Sequence, residues 1–346
     1  MKEYLNLFID KIYPDFLDKY TRTKTLRRLK HVSQFCGCDY TALYSPLFKY
    51  SRFDHSLVVA HMTWHFTRDK KETITALLHD IGTPCFAHTV DLVFGDYMNQ
   101  ETSERSLIDV INKDRELKSF LAEDNISQED ILNYPNYHIL ENKSPKLCTD
   151  RLDGVLHTCY IWLHTHSLEQ IKEVYDDLVV LQNEEGYPEI GFQHINIAEK
   201  FVSMVYNYAH ELQFNKDKYV MHYISKAIQM AFKNNLLSLE DLYSKKEVEI
   251  CQLFKENFSS WGKFKKTKQI KRCDRKPASE IYVSFETKKR NTIPLVQTHK
   301  KPLRIDTVSE NSKDLYSKLA NEKDTKYAYV EGIERINWEK LKLKGR

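Results

Sequence analysis

The chain has 346 residues with 41% apolar and 29% charged side chains, the composition of a globular protein of one large or two ordinary domains, not of a disordered one. No apolar run approaches the roughly 20 residues that span a bilayer, and Met1-Lys2-Glu3-Tyr4 does not open as a secretory leader would, which excludes membrane and exported classes. The net charge of +3 hides an asymmetry: residues 241–346 hold 26 Lys and Arg against 15 Asp and Glu, and the first 240 hold 26 against 34, so an acidic body precedes a basic C-terminal part. Seven scattered cysteines without a recurring Cys-x-x-Cys pair point to reduced thiols and a cytoplasmic protein. Nine Gly and nine Pro mean few tight turns, which favours helices. Neither G-x-G-x-x-G nor G-x-x-x-x-G-K-[ST] is present, so dinucleotide-binding and P-loop classes are set aside.

Taken in chain order, residues 20–35 read as a helix, with Leu26, Leu29, Val32 and Phe35 at three-residue spacing. A second helix over 55–67 places Leu57, Val58, Met62 and Trp64 on one broad face. A third, over 69–80, has Asp69 and Glu72 at capping-box spacing, continues through Ile74, Leu77 and Leu78, and stops at Gly82. Segments 151–167, 195–212 and 217–234 are further amphipathic helices. From residue 261 to 304 there are 14 Lys and Arg with only Asp274, Glu280 and Glu286 as acids, and short strands are read at 281–286, 294–296 and 303–308. The expected fold is mostly α, with a helical domain over 1–250 and a small basic α+β region over 251–346.

His79-Asp80 lies at the end of the third helix, where Gly82 lets the chain bend so that both side chains can face one point. Imidazole nitrogen with carboxylate oxygen suits a borderline divalent cation. His55 stands at the start of a helix upstream, and Asp150 at the start of another downstream. The flanks carry more information than the dipeptide. Ser51-Arg52-Phe53-Asp54-His55-Ser56-Leu57, then Leu77-Leu78-His79-Asp80-Ile81-Gly82-Thr83-Pro84-Cys85-Phe86-Ala87-His88, then Asp150-Arg151-Leu152-Asp153-Gly154 follow one another in order. Together with Leu26 to Gly37 they resemble the HD superfamily of metal-dependent phosphohydrolases, closest to its deoxynucleotide triphosphohydrolase branch. The resemblance covers about residues 20–165, with a weaker echo at Lys288-Lys289-Arg290-Asn291-Thr292-Ile293-Pro294-Leu295-Val296.

The resemblance implies an HD-type helical bundle holding one divalent ion (Mn, Fe, Co, Ni, Zn or Mg) on His55, His79, Asp80 and Asp150. It implies hydrolysis of a nucleotide phosphate ester or anhydride by metal-activated water. Arg52, Arg151 and Gln34 would contact the substrate phosphates, and His88, oriented by Asp91 and accompanied by Glu101, would handle the leaving-group proton. A homo-oligomer is implied as well. Four positions depart from the family pattern: Thr83 and Gln100 replace histidines, Gly154 replaces a sugar-packing tyrosine, and Thr158 replaces an aspartate that reads the 3′-hydroxyl. These departures suggest weak discrimination between ribose and deoxyribose, and they motivate two rivals. One is an impaired HD protein that binds nucleotide or nucleic acid as a sensor or assembly subunit; the other is a monophosphatase or cyclic phosphodiesterase. His61 with His65, and His157 with His164 and His166, read as core-edge histidines before they read as ligands. The stretch 261–304, with Trp261 and Phe264 among its lysines, reads as a nucleic-acid patch, a solvated connector, or an allosteric or subunit contact.

Overall fold

Side-chain caps do much of the dividing that a glycine-poor chain needs. Thr23, Ser51, Asp69, Asp114, Ser127, Ser167, Ser238 and Ser309 each accept a backbone N–H from the first turn of the helix they open. A computed structural model describes residues 1–96, 98, 102–287 and 289–334. Its helices in chain order begin with α1 (Lys2–Phe8), α2 (Leu17–Thr21), α3 (Lys24–Arg28), α4 (Arg52–Thr67), α5 (Lys70–Leu78) and α6 (Thr89–Val93). They continue with α7 (Thr102–Lys113), α8 (Arg115–Glu123), α9 (Gln128–Leu132), α10 (Thr149–His157), α11 (Leu168–Asp176), α12 (Ile195–Gln213) and α13 (Asn215–Lys233). Next come α14 (Leu239–Ser244), α15 (Glu247–Asn257), α16 (Trp261–Lys266), α17 (Ile305–Val308) and α18 (Glu310–Asn321). The protein is mostly α, with a small α+β part. Among the described residues no helix is long and apolar enough to cross a membrane.

Helix α4 is the central rod: Phe53, Val58, Val59, Ala60 and Met62 are all buried, and α1, α3, α5 and α10 pack around it. Because it is covered nearly all round, the single broad face expected for residues 55–67 is replaced by burial on several sides. Residues 20–35 do not form one helix. They make the end of α2, then α3, a 3₁₀ turn over Leu29–His31, and an extended stretch. The cause lies in the spacing itself. A strict three-residue period drifts around an α-helix, but here the breaks bring Leu26, Leu29, Val32 and Phe35 all into the core. The segment after α10 also departs from a plain helix: Thr158–Trp162 is a π turn, closed by the Leu163 N–H on the Thr158 carbonyl at 2.9 Å. Only half of the capping box at Asp69 forms, because the Glu72 carboxylate turns away to accept the Leu140 N–H at 3.2 Å.

Two sheets complete the fold. Strands β1 (Leu178–Gln182) and β2 (Pro188–Phe192) form an antiparallel hairpin, to which β5 (Leu295–Val296) adds in parallel and β6 (Leu303–Arg304) antiparallel. The second sheet has the order β3 (Lys271–Cys273), β7 (Tyr327–Glu334), β4 (Glu280–Val283), antiparallel throughout. The hairpin lies in a stretch that reads as helical in sequence, although Asn183 and Gly186, whose φ is 83°, carry the turn. The strand read at 303–308 stops after Arg304, and Ile305 to Val308 wind into α17. Trp261 and Phe264 are buried, with Phe264 stacked on Tyr223 at 4.0 Å, so their rings belong to the core.

One buried ion pair ties the C-terminal strands to the rest. Glu189 is fully buried and accepts two bonds from Arg304, at 2.5 and 2.8 Å, and one from the Leu147 N–H at 3.1 Å, just before α10. Removing one partner of such a pair leaves an uncompensated buried charge. Arg304→Ala is therefore expected to cost about 3–5 kcal/mol in urea unfolding, and a Glu189→Gln, Arg304→Ala double variant to recover part of that loss. Loss of less than about 1 kcal/mol would show the pair to be incidental.

Candidate metal centre

Three helix ends converge on one buried point. The capping box between Ser51 and Asp54 sets the first turn of α4, so that Arg52 and His55 face inward at its N-terminus. His79 is the residue at which α5 ends, and Asp80 begins the following turn. The chain turns there as expected, although Gly82 does not take a left-handed conformation. The Thr83 N–H bonds to the Asp80 carbonyl at 2.9 Å, and the Arg28 guanidinium clamps the Ile81 and Thr83 carbonyls at 3.0 and 2.6 Å. Asp150 sits in the first turn of α10, where the positive end of the helix dipole favours a carboxylate.

The ligand atoms of His55, His79 and Asp80 all lie within 4.8 Å of one another. Asp150 joins them, with its Oδ1 3.0 Å from His55 Nε2 and 3.5 Å from His79 Nε2. Both imidazoles are held with Nε2 inward because Nδ1 is occupied behind. His79 Nδ1 is 2.7 Å from the Ala76 carbonyl, which can only accept, so Nδ1 carries the hydrogen. His55 Nδ1 donates to Asp153 at 2.6 Å. This is the support that metal-binding histidines receive from a neighbouring acceptor.

Asp153 was named in the sequence only as part of a motif, yet four side chains converge on it. Besides His55, it accepts Tyr4 Oη at 2.9 Å, Tyr50 Oη at 3.0 Å and His157 Nδ1 at 3.3 Å. His55, Asp153 and His157 also form a trio with metal-ligand spacing, but their donors already point at Asp153, which makes that side of His55 a brace.

The electrostatics fit a divalent ion. Burial pushes the Asp80 carboxyl up, but Arg52, His79 and His55 outweigh it and hold it well below the usual range; Asp150 and Asp153 are held down by their imidazole partners in the same way. Burial would lower His55, but the Asp150 and Asp153 carboxylates win and raise its proton affinity to about 10. His79 is raised too. Two imidazoles with two carboxylates are a borderline-metal donor set.

Beside this centre opens a cavity of about 150 Å³. Of the residues the sequence assigned to substrate, Gln34, Arg52, His88 and Arg151 line it. Gln34 Oε1 and Arg52 Nε are buried there without a partner, and Arg52 Nη1 bonds Asp80 Oδ2 at 2.8 Å. His88 Nδ1 is 3.1 Å from Asp91 Oδ2. Arg151 is differently placed. Its Nε donates to the Lys146 carbonyl, Nη1 to the Asn142 carbonyl and Nη2 to Glu141 and Asn142, so the guanidinium clamps the loop before α10 rather than reaching for a phosphate. Gln100 and Glu101 lie outside the described residues.

Three of the four departures acquire partial explanations, Gln100 lying outside the described residues. Thr83 donates to Asp80 Oδ1 at 3.1 Å and so holds a candidate ligand. Gly154 lines the cavity in α10, and a Cβ there would stand 3.9 Å from Tyr208 Oη, so Tyr208 of α12 covers the glycine. Thr158 also lines the cavity, at the start of the π turn. His157 reaches it as well, whereas His65 bonds Asp10 and His138 stacks on Tyr187 at 4.2 Å, both apart from the cluster. Sequence reasoning missed Tyr208, Asp217 and Arg290, which enter the cavity from α12, α13 and the C-terminal segment. The echo around Arg290 was their one visible signal.

His88 is delivered by a strained turn. Phe86 and Ala87 have φ of 64° and 44°, a conformation that costs non-glycine residues about 1–3 kcal/mol each. The turn is held from α14 and α15: Glu247 of α15, 1% exposed, accepts the Phe86 N–H at 2.7 Å, and the Cys85 N–H bonds the Leu242 carbonyl of α14.

Comparisons with known proteins agree with the fold. No family model matches the chain. Over 228 residues it is 27% identical to the uncharacterized protein YdhJ of Bacillus subtilis, spanning 65% of this chain and 67% of that one. A hypothetical protein of Aquifex aeolicus shares the architecture with a TM-score of 0.60, 16% identity and 94% of each chain covered. A phosphohydrolase of Bacteroides thetaiotaomicron does so with a TM-score of 0.58, 13% identity, and 93% of this chain against 96% of that one. The chain thus has a fold in which a phosphohydrolase is built, and it buries a His/Asp cluster that could hold a metal ion.

Two outcomes follow from this geometry. Asp153→Asn removes the charge that orients His55, and should weaken metal binding about ten- to hundredfold by calorimetry; unchanged affinity would show that His55 needs no brace. Burial raises the Glu247 carboxyl to about 8, above its ordinary value, so the neutral acid stabilises the fold in acid and that contribution is lost as pH rises. Glu247→Gln should therefore gain Tm relative to the wild-type chain between roughly pH 5 and 8. A difference that stays flat across that range would place no titration at Glu247.

Proposed function

We propose that this protein is an HD-type phosphohydrolase that uses one divalent metal ion to cleave a phosphate ester or anhydride of a nucleotide. The observation that carries the reading is the convergence of His55, His79, Asp80 and Asp150, with both imidazoles turned inward by partners behind them. The similarity in fold to a phosphohydrolase of Bacteroides thetaiotaomicron supports it.

When bound, the ion supplies Lewis acidity and a nucleophilic water at neutral pH. The remaining work falls to the chain. Arg52 stands at the positive end of α4 beside Asp80, where its guanidinium meets charge developing on phosphoryl oxygens. Gln34, with its unpartnered Oε1, accepts a donor from the substrate. Burial, with Arg290 and Arg52 nearby, lowers the proton affinity of His88, and Asp91 fixes its Nδ1. Its Nε2 is thereby available to exchange a proton with the leaving oxygen or with water. Arg52 and the two imidazoles hold Asp80 and Asp150 well below the usual carboxylate range, which keeps both carboxylates ready to hold the ion.

The test is to incubate metal-loaded protein with dNTPs, NTPs, nucleoside monophosphates and cyclic nucleotides, and to identify the inorganic product. Tripolyphosphate, pyrophosphate and phosphate separate the candidate bonds. Tight nucleotide binding with no product would replace this reading by that of a sensor. Arg52→Ala is expected to lower kcat by about 10²–10³ while metal content by elemental analysis stays near that of the wild-type chain. Parallel loss of metal would make Arg52 a clamp on Asp80 instead.

A further inference from the structure

The candidate metal and phosphate residues form one part of the cavity lining, and Phe35, Trp162, Tyr208, Leu212 and Met221 form another that is aromatic or apolar. Asp217 also lines the cavity, and the metal centre makes no use of it. It stands in the first turn of α13, one turn before Met221. We propose that Asp217 reads the base of the substrate, accepting a hydrogen bond from an amino or ring N–H group and so rejecting a ring that has none. The inference rests on the nucleotide reading above and deepens it.

The first argument is the hydrogen bonding of Asp217 itself. The residue is 4% exposed, a depth at which a carboxylate needs partners. The Cys38 thiol donates to Oδ1 at 3.3 Å, and among the described residues Asp217 makes no other hydrogen bond and no ion pair. A thiol is a weak donor. Oδ2 is not sealed into the core but opens on the cavity that Asp217 lines. Asp153, buried as well, takes hydrogen bonds from four side chains. For want of such partners, burial raises the Asp217 carboxyl to about 7; Glu211 adds to the rise, while Cys38, Arg290 and Lys216 oppose it. A ligand N–H at Oδ2 supplies the bond that the fold leaves out, and it favours the ionised form.

The second argument is the company Asp217 keeps. The Phe35 and Trp162 rings pack with centroids 5.4 Å apart, Leu212 and Met221 add aliphatic surface, and Gly154 contributes no side chain. A flat ring entering here buries apolar surface on its faces and must bring its polar edge with it. Burying that edge is costly unless its groups are paired. An ionised carboxylate can only accept, so it selects an edge by its N–H groups. The same carboxylate has nothing to offer a ring that presents acceptors alone.

The experiment titrates adenosine, guanosine and purine riboside, whose ring carries no N–H, into metal-loaded wild type, Asp217→Ala and Asp217→Asn by calorimetry. These nucleosides have no phosphate to lose, so binding is read apart from hydrolysis. Wild type should bind adenosine, guanosine or both about ten- to hundredfold more tightly than purine riboside, the worth of one hydrogen bond to a charged group. Asp217→Ala should bind all three alike, at the wild-type level for purine riboside. Asp217→Asn keeps a neutral acceptor and should retain part of the difference. Equal binding of the three by wild type overturns the proposal, as does the absence of any nucleoside binding. Discrimination that survives Asp217→Ala overturns it too, and so does uniform weakening of all three, which would make Asp217 a brace for Cys38. If Asp217→Ala does not fold, an undiminished difference in Asp217→Asn overturns it. Discrimination that depends on Asp217, without turnover of any nucleotide, leaves this inference standing and removes the hydrolase reading. Nucleotide turnover by a wild type that binds purine riboside as tightly as adenosine and guanosine does the reverse.

Discussion

A single buried carboxylate organises the site. Asp153 is fully buried and would be costly there if unpaired, yet two imidazoles and two phenols direct hydrogen bonds at it. Those donors come from α1, from two residues before α4, from α4 itself and from α10, so satisfying one charge fixes how these pieces sit. The same bond to His55 Nδ1 decides which imidazole nitrogen faces the candidate metal. Packing and chemistry are therefore set by one interaction.

Around that hub the site is assembled from helix ends. Free N–H groups at the start of α4 and α10 favour anions, which suits Asp150 and a phosphate near Arg52. The end of α5 offers His79 and Asp80 where the chain must turn, and Arg28 holds that turn by its carbonyls. The strained Phe86-Ala87 pair, held by Glu247, carries His88 to the opposite wall. Helix ends project side chains from fixed backbones, and this gives a precision that a free loop lacks.

The helical class and the four candidate ligands were legible because their signals are local. Capping residues, apolar periodicity and the His-Asp turn with its flanks each sit within a dozen residues. Where local signals were followed too far, they misled. The three-residue period of Leu26 to Phe35 marks broken helix rather than continuous helix, and the β1–β2 hairpin, with Asn183 and Gly186 in plain view, was absorbed into a helical stretch. The lysine-flanked Trp261 and Phe264 look like a stacking surface in sequence and are core in the fold.

By itself the sequence determined that this is a mostly helical chain, and it singled out His55, His79, Asp80 and Asp150 as candidate ligands. Tertiary structure decided how each polar group spends its hydrogen bonds. Arg151 and Arg290 are equally arginine in the sequence, and both line the cavity, but the guanidinium of Arg151 is hydrogen-bonded to the loop before α10 whereas Arg290 arrives from the C-terminal segment. Asp153 gained its role from Tyr4 and Tyr50, about 150 and 100 residues away in the chain, and Gly154 gained a cover from Tyr208. The reason is physical: a donor pairs with whichever acceptor the packed fold brings within about 3 Å, and that neighbour is set by burial of the whole core rather than by adjacent residues.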